Sequence, residues 1–235
     1  MKSIRYLFIL SIFSTVILSS CSPANDMSER EQSIFIQAYQ ILPIPIDKLD
    51  NLNDLLLYFD STYCINREEK WPYTYLDMKQ KKLVNTPNLN TLKIGIEPNP
   101  CQDQVIKFDD TMILEIVKDG HNTTIENYFT EIDSIPSFVR KQFLSYGEDP
   151  NYAVGGLGNG VWLCTKKADK LSNLNIYIYN IVKGFINSVR EYSKLAYGKT
   201  IDELSEEEFE EISQEFVFHL SFKYTDEEPT ITLDI

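Results

Sequence analysis

IYIYNIVKGFINSVREYSKLAYGKTIDELSEEEFEEISQEF, residues 176–216, carries the clearest periodic pattern in the chain. Ile178, Ile181, Val182, Phe185, Ile186, Val189 and Leu195 recur at spacings of three and four. That is the stripe of a helix with one buried side, so a helix is expected over 176–196. Tyr197-Gly198-Lys199 ends it, because glycine adopts the left-handed cap without a Cβ penalty. Ser205-Glu206-Glu207-Glu208 reads as a capping box that opens a second helix, with its acids near the amino end where the helix dipole favours them.

The flanks supply what these helices cover. FVFHLSFKY (216–224) alternates as a strand, with Phe216, Phe218, Leu220 and Phe222 on one side and Val217, His219, Ser221 and Lys223 on the other. VWLCTKK (161–167) reads as another strand. The loop before it, YGEDPNYAVGGLGNG (146–160), contains a G-G-x-G, but a phosphate cradle needs a helix to open directly after it. DSIPSFVRKQFL (133–144) reads as a helix capped by Asp133 or Ser134, with Pro136 in its first turn. TMILEIVKDGHNTTIENYF is a hairpin that turns at Asp119-Gly120 and returns over 123–129. In TLKIGIEP (91–98), Leu92, Ile94 and Ile96 alternate and Pro98 stops the strand. Four or five strands with late helices give an α+β domain: a four- to five-stranded sheet with helices packed on one face.

Residues 28–90 are less legible. SERE (28–31) pairs Ser28 with Glu31 as a short helix cap. The two prolines of ILPIPID enforce an extended path. LDNLNDLLLYFDSTY places Leu52, Leu55, Leu56 and Phe59 at helical spacing. WPYTYLDMKQKKLVNTPNLN mixes aromatics, lysines and turn formers and receives no assignment.

The amino terminus, MKSIRYLFILSIFSTVILSSC, joins Lys2 and Arg5 to an apolar run over 6–18, a signal-peptide length and short for a full span. Leu18-Ser19-Ser20-Cys21 resembles the bacterial lipobox. The expected organisation is a signal peptide at 1–20, a tether at 21–33 beginning with a lipid-anchored Cys21, a region of undefined structure at 34–90, and the α+β domain at 91–235. Two or three acyl chains such as palmitate suffice to hold a membrane, where one does so only marginally. The expected location is the periplasm, moored to the cell envelope, the outer membrane before the inner. The alternative is an uncleaved signal anchor.

The whole chain carries 22 basic and 35 acidic residues, a net charge of −13. Loss of Lys2 and Arg5 with the signal leaves 20 basic against 35 acidic, or −15. That balance opposes nucleic-acid binding through bulk charge. Cys64, Cys101 and Cys164 show no C-x-x-C spacing; either two of them bridge in an oxidising compartment or all are buried thiols.

The helix–turn–helix at 176–216 resembles the periplasmic domain of the ExbD/TolR family, in the long form found in Bacteroidetes. The shared features are an Asn-x-x-Arg pattern (Asn187, Arg190), a Tyr-Gly-Lys turn (Tyr197, Gly198, Lys199) and a Leu-Ser-Glu-Glu-Glu helix start (Leu204–Glu208). Residues 112–144 are similar in layout to that family's strand–turn–strand–helix opening. The resemblance implies a self-associating periplasmic domain, able to form a homodimer, that works with ExbB, ExbD or TonB-type proteins in proton-motive-force-driven transport or envelope integrity. It implies no metal and no cofactor. Asn187, Arg190, Tyr197 and Lys199 are the residues it marks for partner docking. The family's membrane helix carries a proton-binding aspartate, and residues 6–18 here contain no acid, so that role transfers to no position.

No serine or cysteine sits in a nucleophile motif, and His121 and His219 stand apart from other metal-ligand types. The expectation is a non-enzymatic lipoprotein accessory to transport. The alternative is a ligand-binding surface lipoprotein in which 28–90 caps a pocket on the sheet.

Overall fold

A computed structural model describes residues 27–36, 42–64, 71–97, 112–145, 148–149, 152 and 159–225. The first segment opens with α1 (Glu29–Ser33). The Ser28 hydroxyl accepts from the Glu31 amide and the Glu31 carboxylate accepts from the Ser28 amide, the reciprocal cap expected from SERE. Residues 27–33 of the span expected as tether are therefore folded, and Met27, Ile34 and Phe35 are buried. β1 (Leu42–Pro43) takes the extended path that its prolines enforce. α2 (Leu52–Phe59) buries Leu52, Leu55 and Phe59, as their spacing requires.

The stretch without an assignment forms a hairpin. β2 (Pro72–Asp77) pairs antiparallel with β3 (Lys82–Val84) on one edge and with β4 (Thr91–Gly95) on the other, and β1 adds in parallel at Pro72 and Tyr73. Its alternation is hard to read because Thr74 shares the buried face with Leu76, and Asp77 is buried on the opposite face. The expected division at 90/91 falls inside this four-stranded sheet, since β4 hydrogen-bonds to β2.

A five-stranded sheet follows. β5 (Ile113–Asp119), β6 (Asn122–Ile125) and β7 (Tyr128–Thr130) form an antiparallel meander. Gly120 supplies a φ of +62° at the first turn, as expected. The return is split by a second tight turn, where Glu126 (φ +52°) and Asn127 (φ +67°) both take left-handed backbone, the pattern of a type I′ turn. α3 (Ile135–Leu144) then leads to β8 (Gly160–Thr165), and α4 (Leu171–Tyr197) with α5 (Glu206–Glu215) leads to β9 (Leu220–Tyr224). Helical crossovers make β5, β8 and β9 parallel neighbours, in the order β7-β6-β5-β8-β9.

α3 begins after a 3₁₀ turn (Ile132–Ser134), and Ser134 makes no side-chain cap bond, contrary to the expected capping by Asp133 or Ser134. Pro136 provides the helical start instead. α4 begins five residues ahead of the expected 176, and Gly198 closes it at φ +68°. Leu195 departs from the expected stripe: it is 75 % exposed, past the last buried position, Ser193. β9 starts at Leu220 because Phe216 still serves α5 as its C-cap, its amide donating to the Ile212 carbonyl.

The chain is thus α+β, with two sheets where one was expected. The Glu97 amide donates to the Leu220 carbonyl at 2.8 Å, and this parallel bridge at Ser221 joins β4 to the free edge of β9. In the five-stranded sheet the register aligns Ile125, Ile116, Leu163 and Phe222 in one fully buried row. The row belongs to a hydrophobic cluster that also takes in the α4 stripe and Phe35 from the first segment. α3 crosses α4 at Gly184, where a Cβ would meet Val139 Cβ at 2.6 Å and Pro136 Cα at 2.9 Å. Among the described residues no helix is long and apolar enough to cross a membrane.

Candidate functional site

The corner where α4 turns into α5 carries the residues marked for docking. Gly198 reverses the chain and donates its amide to the Lys194 carbonyl at 3.0 Å, while the Ser193 hydroxyl holds the Lys199 carbonyl at 2.8 Å. Two reciprocal caps follow, Thr200 with Glu203 and Ser205 with Glu208. They explain why Glu203 and Glu208 sit where they do: each satisfies an amide at a helix start.

Tyr197 donates its hydroxyl to Glu211 at 2.6 Å. That hydrogen bond, with some burial and the charge of Glu211, pushes the phenol up to about 12. The Lys199 ammonium reaches both Glu208 oxygens, at 2.6 and 2.7 Å, and holds that carboxyl below its ordinary value. Arg190 forms a two-pronged pair with Glu31, at 2.6 and 2.8 Å. Asn187, three positions earlier on α4, is half-buried. Tyr197, Lys199 and Arg190 are therefore committed to partners within the chain, two on α5 and one on α1.

Sequence reading missed the partner of this corner. Arg30 of α1 donates to the carbonyls of Leu204 (2.6 Å) and Ser205 (3.1 Å) and to the Glu206 carboxylate (3.0 Å), with its guanidinium 4.5 Å above the Phe209 ring. Phe35 packs edge-on to Phe185 and beside Phe218, each with ring centroids 5.1 Å apart. The segment read as tether thus straps the helical corner to the core. The available signal was a planar, multi-donor arginine inside a capping box flanked by Met27 and Ile34-Phe35.

Two concavities lie elsewhere. One of about 450 Å³ opens between the turn before α2, β3 and the start of α4, lined by Ile46, Leu49, Asp50, Leu83, Lys170 and Ser172 among others. A smaller one, about 190 Å³, sits where the sheets join, beside Glu97, Ile113, Trp162 and His219. His219 Nδ1 lies 3.5 Å from Glu97, and the Ser221 hydroxyl stands at the same distance from that carboxylate. Both contacts go to the acid, so histidine and serine are not arranged as base and nucleophile. His121 is exposed in the β5–β6 turn. Among the described residues no group of three or more His, Cys, Asp or Glu could hold a metal ion. Cys164 is a buried free thiol pushed up to about 12, chiefly by burial. Cys21, Cys101, the Cys64 side chain and the G-G-x-G stretch lie outside the described residues. No family model, no curated protein and no solved structure matches the chain.

Proposed function

We propose that this chain is a lipid-anchored, non-enzymatic envelope protein whose ExbD/TolR-like domain serves as an accessory to proton-motive-force-driven transport or envelope integrity. The observation that carries the reading is the layout of residues 112–224. A strand–turn–strand meander runs into a helix, a parallel strand, and a long helix that stops at Tyr197-Gly198-Lys199 before a capped acidic helix. The strand–turn–strand–helix opening and the helix–turn–helix are the parts the family resemblance implies, with Tyr197, Gly198 and Lys199 at the turn and Asn187 and Arg190 further back on α4. The mooring is an acylated Cys21 in the periplasm, and the accessory works through contacts with ExbB, ExbD or TonB-type proteins. Chemical cross-linking in intact cells, followed by purification of the tagged chain from membranes, tests it. Motor or TonB-type proteins joined to the α4–α5 corner are expected. Their absence from the cross-linked products overturns the reading.

A second reading, a ligand-binding lipoprotein, is favoured by the cavity of about 450 Å³, a size suited to a small molecule. Its walls come from residues 46–51, Leu83 of β3 and the start of α4, not from the face of the five-stranded sheet. A thermal shift with a panel of periplasmic metabolites, abolished by Leu83→Trp, is the outcome that reading requires.

A further inference from the structure

We propose that the domain stands upright on the bilayer, resting on the pole built from α1 and the α4–α5 corner, with α4 as its long axis and the cleft at Leu49, Leu83, Lys170 and Ser172 facing away. The inference rests on the acylated Cys21 of the proposed function and adds the surface that meets the lipid.

Three observations carry it. The first is reach. The buried Met27 lies six residues after Cys21, and six residues span about 20 Å at most. The anchor therefore keeps Met27 within about 20 Å of the bilayer surface. The second is fixation. α1 does not hang from the body: Arg30 grips the Leu204 and Ser205 carbonyls, Arg190 clamps Glu31, and Phe35 is fully buried against Phe185. The point of attachment is rigid with the corner. The third is length. α4 has 27 residues, about 40 Å at 1.5 Å per residue. Its Arg190 end is held at α1, and its Leu171 end, about 28 Å further along the axis, borders the cleft.

A partner arriving from the aqueous side then meets the cleft end of α4 first. A partner embedded in the same membrane meets the corner of Tyr197 and Lys199.

The test uses the acylated full chain in phosphatidylcholine vesicles that carry a headgroup-attached energy acceptor. A donor dye is placed at Glu207→Cys or at Ser172→Cys, both exposed positions, with Cys64 and Cys101 replaced by serine. Severalfold stronger transfer from position 207 than from position 172 is expected. About 20 Gly-Ser residues inserted between Asp26 and Met27 are expected to erase the difference, because a flexible linker removes the constraint on orientation. Equal transfer from the two positions, or stronger transfer from 172, in protein that floats with the vesicles overturns the upright orientation and leaves the anchor intact. Protein that carries no acyl group and does not float overturns the anchor and the orientation with it.

Discussion

Gly184 shows how much a single atom decides here. It lies mid-helix in α4, where glycine costs roughly 1 kcal/mol relative to alanine, yet a Cβ there would sit 2.6 Å from Val139 and 2.9 Å from the backbone of Pro136. Close approach of α3 outweighs helix propensity, so Gly184→Ala is expected to destabilise the domain by about 1–3 kcal/mol. An unchanged urea midpoint would contradict the tight crossing. Cys164 is the opposite case, a group made inert by its surroundings. It is 2 % exposed and its thiol is pushed up to about 12, first by burial and then by the charge of Glu115. In the Cys64→Ser, Cys101→Ser background, an aromatic disulfide reagent is expected to modify position 164 only as fast as the protein unfolds. Rapid modification in native buffer would refute it. Arg190 was legible as a motif residue, but its partner was not. Glu31 lies 159 positions away, and spacing rules reach only three or four residues along a helix.

At the scale of elements, the turn between β8 and α4 is a junction. The carbonyls of Lys167 and Asp169 accept the first amides of α2, from Asn53 and Leu52, at 2.9 Å each. The Asp169 side chain accepts from the Lys118 ammonium of β5 at 2.9 Å and from the Thr165 hydroxyl. Burial pushes the Asp169 carboxyl up, but these donors and the Lys166 amide outweigh it and hold the group below its ordinary value. A carboxylate with a depressed folded pKa stabilises the protein above its unfolded value, about 4, and loses that contribution as pH falls below it. Urea midpoints are therefore expected to hold steady from neutral pH to about 5 and to fall below about 4, with a shallower fall in Asp169→Asn. That variant also strands the buried Lys118 and is expected to cost about 3 kcal/mol at neutral pH. A wild-type acid slope in Asp169→Asn would remove this junction from the account. Elements with one apolar stripe or a clear cap were legible: α4 through its 3–4 spacing, α5 through Ser205 and Glu208, β4 through Leu92, Ile94 and Ile96. β2 was not, because Thr74 shares the face of Leu76 and Asp77 is buried on the other, polar groups satisfied by partners in the following turn and strands. Asp77, for one, accepts from the Gln80 amide and the Asn88 side chain.

At the scale of the whole molecule, the α+β class was readable and the number of sheets was not. Local patterns report which residues turn inward; they do not report that Glu97 will bridge to Ser221 and join two sheets edge to edge. The same limit applies to the first segment, where MSEREQSIF has the composition of a polar tether, and only the tertiary contacts of Arg30, Glu31 and Phe35 make it part of the core. A chain starting at residue 91 loses Phe35, Leu52, Leu55 and Leu76 from that core together with the strand that pairs with β4. It is expected to be insoluble or to unfold without a cooperative transition, whereas residues 27–235 are expected to unfold in one step. Two separate transitions in the longer chain would show that the two sheets are independent bodies. All of the proposed biology depends on how the molecule is held in place, and intact-mass spectrometry of the chain purified from membranes tests that most directly. A mature protein that starts at Cys21 with its sulfur acylated is expected. A mass showing Met1 retained, or a free thiol at position 21, would contradict it.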